Sequence, residues 1–436
     1  MTAQPIIQTP VTPRVAVTRG MRRKQARDER RRKRVPANAL IVGVDLAREK
    51  QALCFMHQKK MLAQICHHTT AADFQSLFDA TNDFARKHQL ADQVWAMEPT
   101  GHYWMLLAEQ CEKHGLPYVL IHPLSVARER EGAHYNREKT DPKDAELVAT
   151  LASNGKIIDT VLPRTKQQAA LQDLAYAYFY ARSLSASAKT ALHNFWHRLL
   201  PEFFYSFKNV DGLTAIALAQ GLLPFSELVE LKQEQWCKRI KEYVKEQRMM
   251  RKRAGEIYQA IIQAASNKHR RADEGMPWRI RQAAERRLLF ETQKKELRAA
   301  ILKYYQATEA SIYMDSIVGA DSFCNALTLG LVGDFNDYDD PRAIVKLAGS
   351  EINQFGSGDS IRKCRISHRG RSRLRTVAYQ QARFLAKRNP ELTERFLALI
   401  NTKKLTHTQS YVAIANSYLR TAHVLVTKKQ FYRSKK

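Results

Sequence analysis

The sequence predicts an α/β domain followed by a longer, mostly helical remainder. Three observations predict it: a nearly continuous apolar run at residues 39–45, short apolar runs alternating with amphipathic stretches out to about residue 158, and a span from Thr165 to Leu200 without glycine or proline. With 436 residues, 44% of them hydrophobic, the chain can bury more than one core, so two or three domains are expected.

Residues 1–37 are a polar tail ending in Arg22-Arg23-Lys24 and Arg30-Arg31-Arg32-Lys33-Arg34. The first 35 residues hold eleven Lys/Arg against Asp28 and Glu29, or +9 of the total +28. Such an arm is expected to be disordered when free and to fold against phosphate, unless it serves only solubility.

The expected first domain spans 38–158. Ala39 to Asp45 reads as a strand buried on both faces. Gln51 to Met56 follows after a turn too short for a crossover, which predicts an antiparallel hairpin, and Met61 to Cys66 is a third strand. Residues 71–88 form an amphipathic helix with Phe74, Leu77, Phe78 and Phe84 on one side. Then come a strand at Gln93 to Glu98, a turn at Pro99-Thr100-Gly101, a helix at 102–114, a strand at Pro117 to Ile121 and a helix starting at Asp141. Three strands in meander followed by α/β units is the order of the ribonuclease H type of fold.

A helical region is expected at 159–310. Leu171, Leu174, Tyr178, Ala181, Leu192, Phe195 and Leu199 recur at steps of three and four, and Trp278 to Thr308 repeats the pattern among charges. Two long antiparallel helices in a coiled-coil arm fit this. The less regular insertion at 205–275 holds the basic runs Arg248 to Arg253 and Lys268 to Arg271, which could be a solvated face or a nucleic-acid contact. A final, mainly helical domain is expected at 311–436.

The charge of +28 calls for a polyanionic partner, nucleic acid first. No stretch approaches the roughly 18 apolar residues of a membrane span, and no signal-peptide core follows the N-terminal charges. A cytoplasmic, nucleoid-associated protein without a membrane partner is expected. The six cysteines, at 54, 66, 111, 237, 324 and 364, form no CxxC pair and read as free thiols; Cys66-His67-His68 lacks a second half for a zinc site.

The acidic residues carry the chemistry. Asp141 and Asp144 lie three apart, leaning toward one side of a first helical turn, where Asp141 also suits an N-cap with Pro142 at the first helical position. Asp45 and Glu98 each end an apolar strand, where open α/β sheets hold their ligands. If the strands are neighbours and the Asp141 helix crosses their ends, the four carboxylates suit two Mg²⁺ ions about 4 Å apart, an arrangement that stabilises both oxygens of a phosphodiester exchange.

The stretches Gly43-Val44-Asp45, Glu98-Pro99-Thr100-Gly101-His102-Tyr103 and Lys139-Thr140-Asp141-Pro142-Lys143-Asp144-Ala145 resemble the DEDD transposases of the insertion-sequence-110 family, which are related to the Piv DNA invertase. The resemblance implies a RuvC-like N-terminal domain whose metal ligands are Asp45, Glu98, Asp141 and Asp144. It also implies donor and target DNA as substrates, a structured bridge RNA as guide, and assembly as a dimer or tetramer.

In the last third, Gly356-Ser357-Gly358-Asp359-Ser360-Ile361 leads into Arg362, Lys363, Arg365, Arg369, Arg371, Arg373 and Arg375, joined by His368 when protonated. That density of guanidinium groups seeks phosphate. A serine between glycines is open to a bulky phosphodiester but inert until activated; otherwise the segment is a flexible turn. Ser-Gly-x-Ser-Ile-Arg and Ile-Ser-x-Arg-Gly are similar to the second signature domain of the same transposases, which implies that Ser357 is the nucleophile, with Ser360 the second choice. Two departures are Gly349-Ser350-Glu351-Ile352 for the family's Gly-Leu-x-Pro and Gly319-Ala320-Asp321 for its Gly-x-Gly.

The expected activity is therefore DNA recombination through a 5′-phosphoserine link with Mg²⁺. A RuvC-like nuclease or junction resolvase using water is the nearer alternative, and a non-enzymatic nucleic-acid-binding protein the more distant one.

Overall fold

The computed structural model describes residues 33–68, 74–99, 101, 103–134, 140–158, 165–199, 231–243, 275–355 and 363–434, with 25, 29, 209, 211–212, 215–216, 219–220, 255–256, 258–259 and 262–263 as short pieces. Most of the basic arm and of the 205–275 insertion lies outside the described residues. The chain divides into two compact units, Met1–Leu162 and Pro163–Lys436. No described helix is long and apolar enough to cross a membrane.

The first unit is built on β1 (Leu40–Asp45), β2 (Lys50–His57), β3 (Lys60–His68), β4 (Gln93–Met97), β5 (Tyr118–Ile121) and β6 (Ile157–Ile158), in the order β3-β2-β1-β4-β5-β6. The meander β1-β2-β3 is antiparallel, β1, β4 and β5 run parallel, and the short β6 closes the edge antiparallel to β5. Period-two alternation divides β1 between two cores. Leu40, Val42 and Val44 face α1 (Gln75–Lys87) and α2 (Tyr103–Lys113), packing with Leu77, Phe78, Trp104 and Leu107. Ile41 faces the opposite side with Ala145, Val148, Ala149 and Ala152 of the Asp141 helix. A strand apolar on both faces reads as a continuous run for this reason. The order is compatible with a RuvC-like domain.

Two helices follow β5: α3 (Pro123–His134), which was not expected from the sequence, and α4 (Asp141–Ser153). At the start of α4 the extended cap residue is Thr140, and Asp144 N donates to its carbonyl at 3.0 Å. Asp141 is therefore the first helical residue and not the cap: Pro142, fitted to the first turn, sits one position further in than expected.

Gly43 lets α4 approach the sheet. A Cβ there would lie 2.4 Å from the Ala145 carbonyl oxygen and 2.7 Å from the Ala149 Cβ, both fixed parts of the helix. Gly43→Ala is expected to destabilise the first unit by about 3 kcal/mol, because the helix must lift from β1. Lost hydrogen-exchange protection across β1 and β4 is the measurement.

In the second unit α5 (Lys166–Leu199) and α7 (Met276–Gln306) pack along each other, with α6 (Gln233–Tyr243) between them in sequence. Ser185 Oγ donates to Glu291 at 2.6 Å, and Arg279 lies 4.5 Å from the Phe195 ring centre. Their other ends join the C-terminal core: Leu171 and Ala175 of α5 and Ile301 and Tyr305 of α7 pack with α8 (Glu309–Asp315), α9 (Ser322–Val332), α10 (Pro341–Leu347), α11 (Ser372–Arg388), α12 (Pro390–Asn401) and α13 (His407–Lys428). Helix α9 is buried from Phe323 to Val332 and is N-capped by Asp321, which accepts from Cys324 N at 2.9 Å.

Candidate metal and nucleic-acid site

The β1–β4 register pairs Val44 with Met97, so Asp45, the last residue of β1, and Glu98, the first beyond β4, stand at neighbouring strand ends. Both are half-buried. Helix α4 crosses the same sheet, its first turn fastened from β3 by Gln64, whose Nε2 donates to Pro142 O at 3.3 Å and to Glu146 Oε2 at 3.2 Å. Asp141 is exposed, whereas Asp144 is buried at 4% exposure.

The carboxylate of Asp144 is held by a residue that the sequence motifs do not include. Arg130 of α3 donates from Nε at 3.0 Å and from Nη2 at 2.6 Å, both to Oδ1. A buried carboxylate needs such a partner, and the guanidinium fork fixes its orientation. Because both donors fall on one oxygen, Oδ2 is left to face another cation. The signal for Arg130 in the sequence is weak: it lies fourteen residues upstream in a stretch with little apolar periodicity.

The donor chemistry suits a hard divalent ion, since all four side chains offer carboxylate oxygens and Asp144 keeps one oxygen uncommitted. In this conformation no three His, Cys, Asp or Glu side chains among the described residues gather closely enough to hold a metal. The backbone thus brings Asp45 and Glu98 together, while Asp144 is engaged by Arg130. Nearby Cys54 on β2 supplies no thiolate, because burial, then the Glu146 charge, pushes its pKa up to about 12 against a weaker opposing hydrogen bond from Gln64.

In the second unit, β7 (Ile352–Phe355) and β8 (Lys363–Ile366) form an antiparallel pair with Phe355 opposite Lys363. Ser357, Ser360 and Arg362 lie outside the described residues. The base of the pair is clamped: Gly349, with φ +65°, faces Gly370 so closely that a Cβ would sit 3.0 Å from Gly370 N, and Arg371 N donates to Leu347 O at 2.6 Å. The arginines here divide into two groups. Arg365 and Arg369 are exposed, whereas Arg371, Arg373 and Arg375 are half-buried. Arg371 donates to Leu331 O, Arg375 donates to Ala348 O at 2.9 Å, and Arg373 lies 4.9 Å from the Tyr176 ring centre. These three therefore help to build the surface that the first two present.

Residues 42–204, which include all four acidic residues, match the family model DEDD_Tnp_IS110, described as Transposase. Residues 313–397, which include Ser357 and the arginine segment, match the model described as Transposase IS116/IS110/IS902 family. No curated protein matches the chain.

Proposed function

We propose that this chain, a DNA transposase carrying both domains of the IS110 family, cuts and rejoins DNA through a serine nucleophile and a carboxylate-bound divalent metal. The observation that carries the reading is the placement of Asp45 and Glu98 at adjacent ends of parallel strands, with the Asp144 carboxylate held on one oxygen by Arg130. Asp45, Glu98, Asp141 and Asp144 would hold Mg²⁺. Bound there, the ion supplies charge stabilisation at the phosphodiester and lowers the pKa of a hydroxyl.

The chain's own groups do the rest. Ser357 Oγ attacks a DNA phosphorus as its proton leaves. The Oγ–P bond forms, the P–O3′ bond breaks, and the 3′ oxygen takes up a proton, leaving a 5′-phosphoserine link. Attack by another strand's 3′-hydroxyl reverses those changes and releases the serine. Arg365 and Arg369, with Arg362 and Lys363, draw the phosphate in and offset its charge, on a surface that Arg371 and Arg373 brace from within. A bridge RNA would select donor and target, and a dimer or tetramer would hold the strand ends.

Covalent trapping tests this reading. Wild-type protein incubated with Mg²⁺ and a nicked suicide substrate that loses its 3′ end is expected to give an adduct stable to denaturation. Cleaved DNA with no adduct would transfer the chemistry to water, the resolvase alternative.

A further inference from the structure

Three helices of the second unit carry arginines that the strand-cutting reading does not use: Arg342 on α10, Arg395 on α12 and Arg420 on α13. Helices α10 and α12 both pack on α13. Arg395 Nη1 donates to Ser417 Oγ at 2.9 Å, and Ser417 lies one turn before Arg420 on α13. Arg420, half-buried, is steadied from below, its Nε donating to Asn416 O at 3.1 Å. Asn416 in turn donates to Ser350 O at 3.0 Å, tying this turn of α13 to the segment after α10.

Among the described residues none of the three guanidinium groups forms an ion pair with a carboxylate. The acid one turn before Arg395 on α12, Glu391, accepts instead from the Tyr432 hydroxyl at 2.9 Å. Burial first, then the charges of Arg395 and Arg342, lowers the Arg420 pKa from its ordinary value. The carboxylate beside Arg342, Asp340, caps α10 and accepts from Arg342 N at 2.9 Å; like charges brought together with none of them ion-paired are unfavourable to the folded chain alone. An anion arriving from outside removes that repulsion, and guanidinium forks match phosphate oxygens in shape.

We propose that Arg342, Arg395 and Arg420 form a phosphate-binding site for a nucleic-acid backbone, separate in sequence from the Arg362–Arg375 segment. The anion is a phosphodiester because a chain of net charge +28 that acts on DNA meets phosphate in its substrate. The site positions the polymer through its phosphates, the contacts that fix register and orientation.

The test measures binding without divalent metal, so its result is independent of the cutting chemistry. The full chain is titrated, over a series of salt concentrations, into a labelled DNA duplex and, in parallel, a labelled RNA stem-loop. Arg342→Gln/Arg395→Gln changes two exposed side chains and leaves half-buried Arg420 in place, so the fold is retained, as a thermal melt checks. Lys59→Gln/Lys60→Gln, on the exposed β2–β3 turn, is the charge-matched control. The arginine variant is expected to bind about tenfold more weakly and to lose about 0.9 from the slope of log affinity against log salt for each phosphate contact removed from duplex DNA. Loss on DNA alone assigns the site to DNA, loss on RNA alone to RNA, and loss on both to either backbone. A slope and affinity no different from the lysine control on both polymers would overturn the proposal.

Discussion

Ser357→Ala is expected to remove the covalent protein–DNA adduct entirely and to lower strand transfer by about 10⁴-fold or more, as loss of an attacking group does when no neighbour can replace it. Ser360→Ala separates the two candidate hydroxyls: it should leave the adduct in place and change the rate by less than about tenfold if Ser357 alone attacks. Ser357→Cys is the sharper comparison. A thiolate is intrinsically nucleophilic but softer toward phosphorus, so a trace of adduct from this variant would place the reacting atom at that position even where turnover is lost. DNA binding should stay within about threefold of wild type in all three, since one hydroxyl contributes little beside the arginines. An alanine variant that cleaves at the wild-type rate would mean that the serine only contacts phosphate and that water attacks.

The centre of the sheet was legible because β1, β2 and β4 are short apolar runs buried on both faces. The run from Leu40 to Val44 is apolar at every position except Gly43, and only a strand covered on both faces asks for that. The strand ends at Asp45 and Glu98 followed from the same runs, so half of the acidic set could be placed from sequence. What escaped was set by tertiary structure. The Arg130–Asp144 pair joins α3 to α4, and α3 lies in a stretch that carries little periodic signal. Strand β6 is two residues long, too short to show a pattern. The arginine segment looked uniform as a string, but Arg371 and Arg375 are drawn inward by carbonyls left at helix ends, Leu331 O and Ala348 O, which only the packed structure brings near. The long helices looked like an independent arm, yet Leu171, Ala175, Ile301 and Tyr305 enter the C-terminal core.

Asp144→Asn is the second change with a large expected effect, and its reading depends on Arg130. In the proposed role of metal ligand, Asp144 would contribute to transition-state stabilisation worth several kcal/mol, so Mg²⁺-dependent cleavage should fall by about 10³-fold. The same substitution also leaves the Arg130 guanidinium, itself largely buried, facing a neutral amide. A fall in stability of about 2 kcal/mol is therefore expected from the broken pair alone. Arg130→Gln separates the contributions. It too breaks the pair, but it leaves both Asp144 oxygens free, so it should match Asp144→Asn in lost stability while keeping metal-dependent cleavage within about tenfold of wild type. Metal affinity supplies a readout that stability does not move: titrated with Mn²⁺ by calorimetry, Asp144→Asn should lose binding, and Arg130→Gln should retain it or bind more tightly because a competing cation has gone. If the two variants instead lose metal affinity and cleavage to the same degree, the carboxylate's role is to anchor α4 to α3, and the ion is held elsewhere.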